Sequence, residues 1–186
     1  MTAQAHVATR IEPLAKAPGS LREIVESDLR RAARLIVTIQ DEIDWQIRMA
    51  TPKGDYHLAI MMPDDPGDRT AMLRRLETFM AWKQASAFCL TVEMAEPDAV
   101  YAVGITRRHR VNCLSRINRS PQPWTAANFG PVEWFPEASI DPSLAALLPT
   151  GPRPMTPKQV ASLEPWFGKT GRFPAVHVPT REVRGI

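Results

Sequence analysis

The chain has 186 residues, 44% of them apolar and 23% charged, with a formal net charge of +3. That balance suits one medium globular domain and excludes a chain too polar to bury a core. The charge is too small for a dedicated nucleic-acid binder, and no apolar run approaches the ~20 residues that span a bilayer.

The cations are mostly arginine, 18 against 5 lysines. The guanidinium fork suits phosphate and carboxylate, although a GC-rich genome produces the same excess. Cys89 and Cys113 lie in apolar surroundings and read as reduced packing residues, with a bond between neighbouring strands as the alternative. Met1–Arg10 contains no continuous apolar segment of the kind a secretory signal needs. The expectation is a cytoplasmic bacterial protein.

Residues 1–19 read as a flexible arm interrupted by Pro13, Pro18 and Gly19, and 20–186 as a single α+β domain. Its core is 20–119, followed by a loop-rich extension, 120–186. Ser20-Leu21-Arg22-Glu23 has the form of a capping box. Leu21, Val25, Leu29, Ala32, Ile36, Ile39, Ile43 and Ile47 then recur at steps of three and four, predicting one helix over 21–49 stopped by Pro52 and Gly54. At 1.5 Å per residue such a helix spans roughly 40 Å, more than a small core is wide. That excess length suggests a homo-oligomer assembled through helix 21–49.

Tyr56–Met62 reads as a strand covered on both faces. Asp65 as cap and Pro66 in the first turn open a helix whose buried face is Met72, Leu73, Leu76, Phe79, Met80 and Trp82. Ala87–Glu93 and Ala99–Thr106 read as strands on either side of a Glu96-Pro97-Asp98 turn. The stretch 109–119 fits a strand, though Val111, Leu114 and Ile117 also fit a helix. These elements form a β-α-β-β-β core with a mixed sheet. The connection from 56–62 through the helix to 87–93 is a right-handed crossover between parallel strands. The long N-terminal helix packs on one face.

Beyond Ser120, prolines separate Trp124, Phe129, Trp134 and Phe135, as in an irregular segment anchored by its aromatic residues. Asp141 caps a short helix over 142–148, and Thr156-Pro157 opens another that runs to about Trp166. Phe173–Val178 supplies an edge strand.

No zinc spacing, glycine-rich phosphate loop or hydrolase elbow is present, so no cofactor is expected and the chain reads as non-enzymatic. The preferred reading is an interaction or accessory protein that meets a protein partner through its helix or its aromatic tail. Two constellations support an alternative in nucleic-acid or phosphate-ligand binding or processing. Asp64, Asp65 and Glu93 stand at strand ends, where carboxylates hold divalent metals; capping by Asp65 and Asp68 explains the same spacing more simply. Arg107, Arg108, His109, Arg110, Arg116 and Arg119 form a basic strip, and Trp124 follows as a stacking residue. No acidic residue occurs between 99 and 132 to neutralise that strip.

Overall fold

A computed structural model describes residues 21–39, 43–119, 127–151 and 153–179. The arm 1–19, Ser20 and Trp124 lie outside these residues. The described part is an α+β fold built on an eight-stranded antiparallel sheet. Its elements run α1 (Leu21–Ile39), β1 (Trp45–Thr51), β2 (Gly54–Ile60), α2 (Pro66–Trp82), β3 (Ala87–Met94), β4 (Ala99–Thr106), β5 (Arg110–Asn118), β6 (Asn128–Phe129), β7 (Glu133–Phe135), α3 (Pro142–Ala146), α4 (Pro157–Phe167) and β8 (Val176–Pro179). The strand order is β6-β5-β4-β3-β1-β2-β8, with β7 also pairing with β5.

The predicted helix 21–49 is corrected: α1 is described over Leu21–Ile39, and residues 45–49 belong to the strand β1. Ile43 and Ile47 fit a helical stripe, but across Trp45–Thr51 the chain alternates. Ile47 and Met49 join one apolar core while Arg48 between them reaches α1 on the other face. That period of two is the signature of a strand. Pro52 makes the turn of a β1–β2 hairpin in which Thr51 pairs with Gly54 and donates its hydroxyl to the Gly54 carbonyl at 2.6 Å. Gly54 has φ 128°, a value that favours glycine. At 19 residues, α1 is about 28 Å long.

A second correction follows from the same strand. Residues 54–60 and 87–94 are not parallel neighbours, because β1 lies between them, antiparallel to both. The core order is therefore α-β-β-α-β-β-β. Residues 110–118 form a strand paired along β4. Cys89 on β3 and Cys113 on β5 are separated by β4, and both are free, buried thiols.

Each face of the sheet carries its own core. On one face, Val25, Leu29, Ala32 and Ile36 of α1 meet Cys89, Val100, Ala102, Cys113 and Ile117, with Phe129 and Trp134 covering the edge. Gly104 on β4 allows this approach, since a Cβ there would lie 2.4 Å from Val25 Cγ2. On the other face, Met72, Leu76, Phe79 and Met80 of α2 pack on Ile47, Met49, Leu58, Ile60, Phe88 and Leu90. Leu163 and Phe167 of α4 and Phe173 complete that core. The proline-rich extension thus supplies side chains to both faces.

Candidate binding cleft

Two helix caps, a ring contact and a side-chain hydrogen bond place the elements around a cleft. Asp65 Oδ1 accepts from the backbone N–H of Gly67 at 2.8 Å and of Asp68 at 2.9 Å, fixing the start of α2 just beyond β2. Thr156 and Gln159 form a capping box at the start of α4. Phe167 then packs against Phe79 with ring centroids 4.7 Å apart, which lays α4 against α2. Glu93 on β3 accepts from the backbone N–H of Ile43 at 3.1 Å and so ties the entrance of β1 to the end of β3.

The result is a cleft of about 920 Å³ at the end of the sheet where β2 and β3 finish and β1 begins. Its apolar wall includes Trp45, Met62 and Met72. Met61, 62% exposed, stands at its edge. Trp166 of α4 and the cations Arg69, Arg75 and Arg172 line it as well. Asp44, Asp64 and Asp68 supply the acidic part.

The arginines are held in different ways. Arg69 donates to the carbonyls of Pro63 and Asp64 and braces the β2–α2 loop. Arg75 lies over the Trp166 ring, 4.2 Å from its centre. Arg172 approaches the same ring at 5.8 Å and the Phe173 ring at 5.3 Å. Among the described residues, neither Arg75 nor Arg172 forms an ion pair with a carboxylate.

The predicted acidic site divides on inspection. Asp64 and Glu93 do line one cleft. Glu93, however, is occupied by Arg119 and the Ile43 N–H, while Asp65 is occupied by its cap. Asp64 is exposed. Among the described residues, no group of three His, Cys, Asp or Glu side chains is placed to hold a metal ion.

The basic strip divides as well. Acidic residues distant in sequence reach it: Arg110 faces Glu137 at 3.8 Å, Arg116 faces Glu133 at 3.5 Å, and Arg119 pairs with Asp98 at 2.9 Å and with Glu93. Hydrogen bonding to Asp98 raises the Arg119 pKa further. Arg107, Arg108 and His109 remain at the exposed β4–β5 tip, where Thr106 Oγ1 accepts from the backbone N–H of Arg108 and His109. Arg116 and Arg119 lie at or just past the far end of β5, about 20 Å or more from Arg110.

Beneath α1 sits a buried charge cluster. Arg48 lies 3.4 Å from Asp28 and 3.2 Å from Asp55, and Arg31 lies 3.5 Å from Asp28. His57 is the cross-strand neighbour of Arg48. Burial, aided by Arg31 and Arg48, lowers its pKa to about 3, so its ring is neutral. Burial and the Asp28 carboxylate push the Cys89 thiol well above its usual range. These groups join α1 to the sheet, and none of them lines the cleft.

No protein-family model, curated protein or solved structure matches the chain.

Proposed function

We propose that this chain is a non-enzymatic binding protein and that the cleft between α2, α4 and the ends of β1, β2 and β3 is its working surface. The observation that carries this reading is the state of Arg75 and Arg172. Two guanidinium groups are positioned on one indole ring, open to a cleft of ligand size, with no carboxylate partner among the described residues. Arg, Trp and Met are also the residue types enriched where proteins bind partners.

The lining supports binding over catalysis. Among the described residues it includes no Ser, Cys, His, Lys or Tyr, and its most enclosed carboxylate, Glu93, is already paired. Self-association through α1 is less well supported, because the apolar stripe of that helix is spent on its own sheet.

The test is a fragment screen of mixed chemical classes read on the indole N–H resonances of the 15N-labelled protein. Saturable shifts of Trp45 and Trp166, with Trp134 unmoved, support the reading. A screen whose hits move only Trp134, or residues of the β4–β5 tip, places the binding surface elsewhere.

A further inference from the structure

Building on the binding reading, we propose that the cleft takes a small amphipathic carboxylate. The acid group lies on Arg75 and Arg172, and the apolar body runs along α2 toward the β2–α2 loop.

A cation–π contact holds each of these arginines by the Trp166 ring, Arg75 at 4.2 Å and Arg172 at 5.8 Å from its centre. A guanidinium lying over a ring engages its π face, and the in-plane N–H fork remains available. That fork matches a carboxylate in two parallel hydrogen bonds. The indole holds the fork in place beforehand, so less side-chain freedom is lost when a ligand arrives.

The helix sets the rest of the ligand. Asp68, Met72 and Arg75 recur at i, i+4 and i+7 on α2 and line the same cleft. Seven residues at 1.5 Å each separate Asp68 from Arg75 by about 10 Å along the helix. Met72 lies between them in the helix, and Met62 and Trp45 line the same cleft. In the rest of the lining, Asp44, Asp64 and Asp68 outnumber Arg69, whose guanidinium is engaged by the Pro63 and Asp64 carbonyls, and they would repel a second negative charge. A ligand with one anionic head and a neutral or cationic tail fits this polarity; a polyphosphate or a nucleic-acid backbone does not.

The experiment compares 3-phenylpropionate, its uncharged amide and phenyl phosphate, each titrated into the full chain and read on the Trp45 and Trp166 indole resonances. The carboxylate is expected to bind and the amide to bind roughly tenfold or more weakly, as the loss of a charge-assisted hydrogen bond predicts. Arg75→Gln should weaken the carboxylate to a similar degree and the amide by clearly less. Arg75→Lys should fail to restore it, because it keeps the charge and loses the fork. Unchanged thermal unfolding of both variants establishes that the fold is intact. Equal binding of acid and amide, or tighter binding of phenyl phosphate, overturns the carboxylate assignment while leaving the cleft as a binding site. If none of the three probes shifts Trp45 or Trp166, the carboxylate assignment is also overturned. A fragment screen that likewise leaves the cleft silent then overturns the binding reading as well.

Discussion

A methyl group of Val25 on α1 occupies the space above Gly104 on β4: a Cβ at 104 would lie 2.4 Å from Val25 Cγ2 and 3.1 Å from Leu21 Cδ1. Gly104 is therefore a contact requirement of the α1 face. Gly104→Ala should destabilise the protein by about 1–3 kcal/mol, as overpacking does. Denaturant unfolding checks this. Val25→Ala in the same chain should recover part of the loss, giving a coupling that distant pairs lack.

Arg48 joins two carboxylates beneath α1, and both it and Asp55 are almost wholly buried. Arg48→Met leaves Asp28 and Asp55 without that cation. The expected cost is about 3–5 kcal/mol. The double variant Arg48→Met/Asp55→Asn should be more stable than Arg48→Met alone, since one buried charge that had faced Arg48 is gone. Chemical denaturation at neutral pH measures both.

The same cluster makes a pH prediction. Folding lowers the His57 pKa from 6.5 to about 3. Between those values the unfolded chain binds a proton that the folded chain does not. Stability from this group is therefore fully present above pH 6.5 and is lost as pH falls toward 3, with a slope of up to about 1.4 kcal/mol per pH unit. His57→Gln should show a shallower acid slope than the parent over that window. Parallel slopes would remove His57 as the cause.

Capping and metal binding give opposite outcomes at the start of α2. Asp65→Ala should cost about 0.5–2 kcal/mol through the lost cap, whereas exposed Asp64→Ala should change stability by less than about 0.5 kcal/mol. Mg2+ or Ca2+ should leave the melting temperature unchanged in all three proteins. A metal-dependent rise that disappears in Asp64→Ala would restore the acidic-site reading.

Much of the fold was legible where local chemistry decides it. The caps at Asp65, Asp141 and Thr156 are short-range hydrogen bonds between near neighbours, and each marks a helix start. Residues 45–51 were not legible in the same way. Ile43 and Ile47 satisfy a helical spacing by coincidence. Pairing with β2 and β3, and the reach of Arg48 to Asp28 and Asp55, show that the chain alternates there. The pairing within the basic strip was hidden for a related reason. Its local sequence lacks acids, and the carboxylates that meet it come from residues 93, 98, 133 and 137.

The cleft was the least legible feature. Asp64 and Glu93 belong to the sheet end that carries the cleft, but Arg75 is one of several cations on α2 with no local mark of its own. Trp166 reads as the last turn of a helix weakened by Pro165. Their meeting depends on α4 returning across α2 after some ninety intervening residues, which no local pattern encodes. Packing between Phe79 and Phe167 brings them together.

Arginine modification by phenylglyoxal, mapped residue by residue with and without bound 3-phenylpropionate, tests the central claim most directly. The cleft account predicts that ligand protects Arg75 and Arg172 while Arg107 and Arg108 at the β4–β5 tip react at an unchanged rate. Protection of Arg107 and Arg108, with Arg75 and Arg172 unprotected, would contradict it.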